Sequence, residues 1–268
     1  MLFKARNGQI PVGDTVMHYV SFGWGSKNLI VLPGLSDGLT TVQGKALLLA
    51  KPFSPLFRDY TVYIFSRKDN LPASCSIREM ARDQAAALHG LGIEKTSVLG
   101  VSQGGMIAQY LAIDHPEMVE KLVLAVTAPS ANETVASAVT GWIHMAEEGN
   151  HQSLMLDTAK KSYSDKHLKK NRLFLPLLGL MGKPRSYDRF FTNANAILQF
   201  DATGELHKIS CPTLILGGSE DKTVGAHAAR SLKEGIQGSE LHIYQGLGHA
   251  AYEEAPDFYK RIFAFLQK

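Results

Sequence analysis

The sequence predicts an α/β fold, with a mostly parallel central sheet, helices on both faces and an inserted helical cap. Three observations support this prediction. Short β-rich runs alternate with helical patterns along most of the 268 residues, which is typical of a parallel sheet whose strands are connected by helices. Several runs, such as Leu29–Leu32, are continuously apolar, as strands buried on both faces are. The alternation is interrupted once, by a segment with helical patterns alone.

The individual elements follow from the spacing of apolar residues. The predicted strands are Thr15–Phe22, Asn28–Leu32, Thr61–Phe65, Ser97–Val101, Leu122–Val126, Thr213–Leu216 and Leu241–Tyr244. The predicted helices are Ile77–Leu91, Gln103–His115, Ala226–Gly235 and Pro256–Leu266. In the last of them, Phe258, Ile262 and Leu266 recur every four residues. This spacing gives the helix one apolar face, which we expect to pack against the core.

The interrupting segment divides the chain into a core of residues 1–129 and 196–268 and a helical cap of residues 130–195. The cap carries Trp142, Met145, Leu154, Met155 and the apolar patch Leu173–Met181. These side chains suit an apolar pocket beneath the cap, and they suit packing within the cap equally well.

The cap also carries a basic cluster, formed by Lys160, Lys161, Lys166, Lys169, Lys170 and Arg172. A solvated helix face is the simplest interpretation of such a cluster. An anion-attracting rim near the substrate entrance is the alternative.

Composition and charge argue against several classes of function. The net charge is only +3 and no basic run is interleaved with aromatic residues, so we expect no binding to nucleic acid. No stretch reaches the roughly 18 apolar residues that cross a membrane, and Met1–Gly13 lacks the apolar centre of a secretion signal.

The two cysteines, Cys75 and Cys211, are far apart in sequence. We interpret them as free thiols in a reducing, cytoplasmic compartment. No HExxH motif or clustered ligand spacing predicts a metal site.

The strongest functional signal is a GxSxG motif, Gly100-Val101-Ser102-Gln103-Gly104, between a predicted strand and a predicted helix. A strand that turns directly into a helix holds the serine in a strained conformation, with its hydroxyl clear of the sheet. We expect glycine to be required at 100 and 104 because side chains there would collide across the turn. The amides at the start of the helix favour negative charge beside Ser102. Ser102 is therefore the predicted nucleophile.

A serine hydroxyl needs a base within hydrogen-bonding distance before it can attack at neutral pH. His249 follows the last predicted strand, after a loop that contains Gly246 and Gly248, and precedes the last helix. Any single histidine is most simply interpreted as a surface residue. The position of His249 after a strand of the same sheet makes it the predicted base.

The base in turn needs a carboxylate that fixes its tautomer and stabilises the imidazolium. The predicted strand Thr213–Leu216 leads into a turn that contains Glu220 and Asp221, at the strand end where open α/β sheets place functional loops. Asp221 is favoured over Glu220 because it lies further from the strand end. The resulting order along the chain is nucleophile, acid and base.

Acyl transfer also requires amides that stabilise a developing oxyanion. The amide of Gln103, directly after the nucleophile, is one candidate. The second is the amide of Leu35, in the loop that follows the strand Asn28–Leu32. The alternative is that this loop is only a turn that ends the strand.

These motifs together resemble the α/β-hydrolase superfamily, and in particular its small cap-bearing bacterial esterases and proline iminopeptidases. The resemblance covers nearly the whole chain. It implies the α/β-hydrolase fold, a covalent acyl-serine intermediate, no cofactor and a cap that shapes the substrate pocket. Two positions depart from the family pattern. Pro33-Gly34 stands where His-Gly is usual, and Arg67–Pro72 replaces the usual Asp-x-x-Gly-x-Gly turn.

The predicted activity is hydrolysis of a small ester or related acyl compound, with a small molecule as the substrate. An aminopeptidase or amidase is a second interpretation, in which Glu147 or Glu148 of the cap would meet a free amine. A small-ligand receptor without turnover and a cofactor-free lyase are further alternatives on the same scaffold. The sequence leaves the acyl group, the leaving group and the oligomeric state open.

Overall fold

A computed structural model describes residues 2–180 and 182–268 of the chain. Eight strands form one sheet, in the order β1-β2-β4-β3-β5-β6-β7-β8. Their bounds are β1 Arg6–Val12, β2 Thr15–Gly23, β3 Lys27–Leu32, β4 Tyr60–Lys68, β5 Thr96–Val101, β6 Val119–Ala125, β7 Thr213–Gly218 and β8 Glu240–Tyr244. β1 and β4 each pair antiparallel with β2, whereas the other neighbours are all parallel. The predicted fold class, a mostly parallel α/β sheet, is confirmed.

Ten α-helices connect or flank the strands in the described residues. They are α1 Ala46–Ala50, α2 Ile77–Gly90, α3 Gln103–Asp114, α4 Glu133–Glu147, α5 His151–Ser162, α6 Asp165–Lys170, α7 Asp188–Leu198, α8 Ala228–Gly235, α9 Ala251–Glu254 and α10 Phe258–Gln267. α2 begins with a capping box, in which the Ser76 hydroxyl accepts from the Glu79 amide and the Glu79 carboxylate accepts from the Ser76 amide. Such reciprocal bonds satisfy amides that have no partner within the helix.

The central strands are buried on both faces, which explains their continuous apolar runs. In β3, Ile30 and Leu32 belong to the core shared with α2, α3 and α8. Leu29 and Val31 point the other way, into the core shared with α1 and α10. Because successive side chains of a strand alternate between faces, one short run of four residues contributes to both cores.

The sequence analysis missed β1, which lies at the edge of the sheet. Its seven residues are mostly exposed and include Gly8 and Pro11, both of which are depleted in strands. An edge position tolerates proline because one side of the strand makes no ladder bonds. Pairing with β2, in the register that sets Ile10 opposite Met17, gives this segment its extended conformation. The segment has no local apolar pattern that would predict the strand.

Helices α4 to α7 lie between β6 and β7, in the interval predicted as the cap. α7 continues to Leu198, past the predicted boundary at 195. Trp142 and Leu154 are buried in this helical region. The patch from Leu173 is largely exposed, with Leu173 at 80% and Leu180 at 81% of full exposure, and Met181 lies outside the described residues. A membrane crossing would need a longer and more apolar helix than any that residues 2–180 and 182–268 form.

Candidate active site

Ser102 occupies the turn between β5 and α3. Its backbone angles are φ 55° and ψ −121°, a region that costs a non-glycine residue about 1–3 kcal/mol. The surrounding backbone holds it there, since the Ser102 amide donates to the Ala125 carbonyl at 2.9 Å. The Thr127 hydroxyl also donates to the Ser102 carbonyl at 2.7 Å. β6 and the residues that follow it therefore hold the strained turn in place.

The two glycines predicted for this turn are in close contact with backbone atoms. A Cβ on Gly104 would lie 1.9 Å from the carbonyl oxygen of Leu32, and one on Gly100 would lie 2.5 Å from the carbonyl oxygen of Gly104. Gly105 is equally confined, because a Cβ there would lie 2.6 Å from the side chain of Thr127. These contacts require glycine sterically and let α3 start directly behind Ser102.

The structure brings the predicted nucleophile, base and acid together. His249 Nε2 lies 2.9 Å from Ser102 Oγ, and His249 Nδ1 lies 2.8 Å from Asp221 Oδ2. Asp221 and His249 are 5% and 6% exposed. The loops after β5, β7 and β8 supply the three residues, and they meet because the carboxyl ends of neighbouring parallel strands lie at one edge of the sheet.

Asp221 is fixed by its own hydrogen bonds. Its Oδ1 accepts the backbone amides of Thr223 and Val224 at 2.8 and 2.9 Å, which leaves Oδ2 to His249. Glu220, the alternative acid, is exposed. Of the two carboxylates considered from the sequence, the structure therefore places Asp221 against the histidine.

The two predicted oxyanion residues each begin a helical turn. Gln103 is the first residue of α3, and Leu35 is the first residue of the 3₁₀ turn Leu35–Gly38. The first amides of such turns have no acceptor within the helix. Gly34, directly before Leu35, lies beside the nucleophile, because a Cβ on it would be 3.6 Å from Ser102 Oγ. Both predicted loops therefore lie next to Ser102.

A buried arginine, which the sequence analysis did not identify, joins these two loops. Arg67, at the end of β4, is 2% exposed and donates to Gln103 Oε1 at 2.8 Å. Its second nitrogen lies 3.4 Å from the Gly34 carbonyl oxygen. Burial lowers the pKa of Arg67 to about 10, so the guanidinium remains charged at neutral pH. The Gln103 side chain also donates to the Asn193 carbonyl of α7 at 2.9 Å.

Asp37 provides the counter-charge for Arg67. Its Oδ2 accepts from the Arg67 amide at 2.9 Å and lies 3.6 Å from the Arg67 guanidinium. Arg189 of α7 donates to the same oxygen at 2.8 Å. Arg189 also donates to the Asp37 carbonyl at 3.1 Å, so the loop after β3 is attached to α7. The only sequence signal for this cluster is a charged residue at the end of an otherwise apolar strand.

A cavity of about 160 Å³ opens onto Ser102 and His249. Trp142 of α4, Leu154 and Met155 of α5 and Phe190 of α7 line it. The lining residues within the described chain include no Arg, Lys, Asp or Glu. Met145 and the described part of the patch Leu173–Met181, suggested from the sequence as pocket material, are not among them.

Tyr252 lines the cavity beside His249. Burial, followed by the charge of Glu253, raises the pKa of its phenol. The Tyr252 hydroxyl is therefore neutral and can donate a hydrogen bond at physiological pH.

The remaining residues singled out from the sequence lie elsewhere. Cys75 and Cys211 are free thiols, and burial raises the pKa of Cys75 to about 11, which keeps it protonated. The basic cluster within the predicted cap lies outside the cavity lining, with its members exposed or half-buried. In residues 2–180 and 182–268, no three His, Cys, Asp or Glu side chains group as metal ligands.

Comparison with known proteins identifies the family of this chain. The family model described as alpha/beta hydrolase fold matches residues 28–256, which is most of the chain. The chain belongs to the alpha/beta hydrolase fold family. A relative within it is the 2-hydroxy-6-oxononadienedioate/2-hydroxy-6-oxononatrienedioate hydrolase 2 of Pseudomonas putida, which is 27% identical over 98% of this chain and 95% of its own length. The corresponding hydrolase of Klebsiella pneumoniae is 29% identical over 94% of this chain and 91% of its own.

Solved structures of other proteins have the same fold. An alpha/beta hydrolase from a Medee basin deep-sea metagenome library superposes with a TM-score of 0.83 at 21% identity, covering 97% of this chain and 98% of its own. The enol-lactonase of Burkholderia xenovorans LB400 superposes with a TM-score of 0.79 at 20% identity, covering 97% and 100%. At these identities the superpositions establish the fold. The family and the two relatives support a hydrolase of small compounds.

Proposed function

We propose that this chain is a serine hydrolase that cleaves a small ester or related acyl compound through an acyl-Ser102 intermediate. One observation carries the proposal, namely the chain of hydrogen bonds from Ser102 Oγ through His249 to Asp221, at 2.9 and 2.8 Å. This is the geometry in which a histidine removes the proton from a serine hydroxyl while a buried carboxylate holds the ring.

In the first half-reaction, Ser102 Oγ attacks the substrate carbonyl and its proton passes to His249 Nε2. Asp221 stabilises the imidazolium that forms, and its two backbone hydrogen bonds keep its other oxygen from turning towards the ring. His249 then donates the proton to the leaving-group oxygen. In the second half-reaction, His249 activates water, which attacks the acyl-serine and releases the acid.

The oxyanion of each tetrahedral intermediate is stabilised by the amides of Leu35 and Gln103. Losing one such donor typically costs about 10²–10³ in turnover. Arg67 acts as a positioning residue in this proposal. It contacts the Gly34 carbonyl and the Gln103 side chain, and so fixes both amide-bearing loops relative to Ser102.

The cavity favours a small and uncharged group beside His249. Its volume of about 160 Å³ is close to the roughly 150 Å³ that encloses a benzene-sized ligand. Glu147 and Glu148, which the aminopeptidase interpretation requires, are exposed next to His144 and do not line this cavity. An ester is therefore favoured over a substrate with a free amine.

The named substrates of the relatives supply a second candidate reaction. An oxononadienedioate contains ketone and carboxylate groups but no ester, so its hydrolysis breaks a carbon–carbon bond beside the ketone. The same serine, histidine and oxyanion amides can serve that reaction. We therefore include a 6-oxo dienedioate in the substrate panel below, alongside an amino-acid arylamide.

The test combines active-site labelling with turnover. A fluorophosphonate probe should label the wild-type protein, and short aryl esters should be hydrolysed. Both signals should disappear in Ser102→Ala. They should persist in Ser231→Ala, which removes an exposed serine of α8 as the matched control.

Three results would overturn the assignment in different ways. Full turnover in Ser102→Ala would exclude the proposed nucleophile. Faster turnover of the arylamide or the dienedioate than of every ester would exclude the ester as the preferred substrate class. Tight binding of small acyl compounds without labelling or turnover would identify a receptor.

A further inference from the structure

A second cavity, of about 310 Å³, adjoins the first at the loop that carries Leu35. The two cavities share a wall formed by Gly34, Ser36, Val101 and Tyr252. Gly34 adds no side chain to this wall, and a Cβ on it would lie 3.6 Å from Ser102 Oγ. The wall between Ser102 and the second cavity is therefore thin at Gly34.

The position of His249 decides which part of a substrate each cavity takes. His249 must reach the leaving-group oxygen in order to protonate it, and it lines the smaller cavity. Neither His249 nor Ser102 is among the described residues that line the larger one. The leaving group therefore belongs in the smaller cavity, and the acyl group extends into the larger one.

The lining of the larger cavity is mostly apolar, and among the described residues it carries a single cation. Val31, Val42, Phe53 and Ile64 line it and suit a hydrocarbon chain. Lys45 is the only Lys or Arg among its lining residues in the described part of the chain. The Lys45 ammonium donates to Thr40 Oγ1 at 2.8 Å and forms no ion pair with any residue in 2–180 or 182–268. Since an ammonium has three donors, two remain for a ligand.

One carboxylate also lines this cavity, that of Asp37. It would repel an anion if it were unpaired, but Arg67 and Arg189 both lie against its Oδ2 atom. Its Oδ1 atom has no hydrogen-bond partner in the described structure. Arg67 and Arg189 do not line the cavity themselves. Two guanidinium charges against one carboxylate nevertheless give the cluster behind its wall a net positive charge, to which Lys45 adds. An anionic group is therefore electrostatically favoured there.

We propose that the larger cavity binds the acyl group of the substrate and that Lys45 recognises a carboxylate at the far end of that group. The preferred substrates are accordingly esters of short dicarboxylic acids esterified at one end, with the free carboxylate on Lys45. This inference rests on the proposed serine hydrolase function and specifies its acyl substrate.

The kinetic test compares two esters with the same leaving group, the 4-nitrophenyl monoester of glutaric acid and 4-nitrophenyl butyrate. Lys45→Met should raise KM for the glutarate ester about tenfold or more, the value expected for one hydrogen bond to a charged group. Its kcat should remain unchanged, because the contact exists before and during reaction alike. The butyrate ester should be unaffected, and Lys45→Arg should restore most of the glutarate preference.

Lys51→Met is the matched control, since Lys51 is exposed six residues further along and lies outside the lining of both cavities. It should leave both esters unchanged. Equal effects of Lys45→Met on the two esters, or an equal loss in Lys51→Met, would overturn the assignment of Lys45.

A binding measurement separates this inference from the proposed function. Calorimetry should show that the Ser102→Ala protein binds glutarate and that the double variant Ser102→Ala, Lys45→Met binds it more weakly. If the wild type hydrolyses esters but glutarate binding does not depend on Lys45, the carboxylate site is wrong and the hydrolase assignment stands. If glutarate binds through Lys45 but no ester is turned over, the site stands and the hydrolase assignment is wrong.

Discussion

Replacing Asp221 with asparagine tests the proposed roles of Ser102, His249 and Asp221, because the two side chains have almost the same shape. The Asp221 oxygen Oδ1 accepts two backbone amides, from Thr223 and Val224. In Asp221→Asn the side-chain carbonyl must take this position, since an NH₂ group there would face two other donors. The NH₂ group then points at His249 Nδ1, which has to become an acceptor. The ring proton therefore moves to Nε2.

A histidine protonated at Nε2 cannot remove the Ser102 proton, so the variant has the base in the wrong tautomer. The expected loss in kcat is about 10⁴-fold, which is about 5 kcal/mol of activation free energy. The assay is steady-state hydrolysis of a 4-nitrophenyl ester at pH 7. Urea unfolding of the same preparation should show stability close to that of the wild type, because both amide bonds to the side chain persist.

Glu220→Gln is the matched control, because it makes the same change of carboxylate to amide on the adjacent, exposed residue. It should retain wild-type kcat. The reasoning is refuted if Asp221→Asn keeps turnover within about tenfold of the wild type while Glu220→Gln abolishes it. A large loss in both variants would point to the charge of the loop rather than to the tautomer of His249.

Three further predictions concern stability and are measured by urea unfolding. Gly104→Ala should cost about 3 kcal/mol, at the upper end for overpacking, because its Cβ would meet the Leu32 carbonyl at 1.9 Å; a cost below about 1 kcal/mol would contradict the tight turn. Gly141→Ala, in α4 with no atom within 4 Å of the new Cβ, should instead stabilise the fold by about 0.5–1 kcal/mol; destabilisation would contradict the open space. Hydrogen bonds from Arg78 and Lys208 lower the pKa of Glu205 to about 2. The ionised Glu205 carboxylate therefore stabilises the fold fully above its unfolded pKa of about 4.3, and this stabilisation is lost as the pH falls towards 2. Glu205→Gln should therefore cost less than about 1 kcal/mol at pH 7, since the pair is partly exposed, and the difference from wild type should shrink below pH 4; a constant difference would exclude the ion pairs as its cause.

The elements that could be predicted from sequence are those in which burial or close packing in the folded state leaves a local pattern of residues. The predicted strand Ser97–Val101 agrees with β5 except for its first residue, Thr96. Residues 98–101 carry no polar side chain, as is typical of a strand buried on both faces. The GxSxG motif predicts the turn at Ser102, and the structure gives the steric reason for its glycines, since backbone contacts leave no room for a side chain at Gly100 or Gly104. β1 had no such signal, since an edge strand with polar residues depends on its partner for its conformation.

The proximity of Ser102, Asp221 and His249 followed from topology. Each lies in the turn or loop that follows a predicted strand, and parallel strands end at a common edge. The choice between Glu220 and Asp221 depended on how the turn after β7 bends. The backbone bonds from Thr223 and Val224 determine that bend, and a carboxylate two residues before a threonine does not reveal them in the sequence.

The cluster around Arg67 shows what local patterns leave out. Its partners Asp37 and Arg189 lie 30 and 122 residues away along the chain, and neither belongs to a motif. Breaking a buried pair by removing one partner typically costs 3–5 kcal/mol, so the three residues depend on one another. Arg67 also begins the stretch that replaces the usual glycine-containing turn of the family, and it contacts the carbonyl of Gly34, in the dipeptide where histidine-glycine is usual. The two departures from the family pattern thus meet at one buried guanidinium, which contacts both loops beside Ser102.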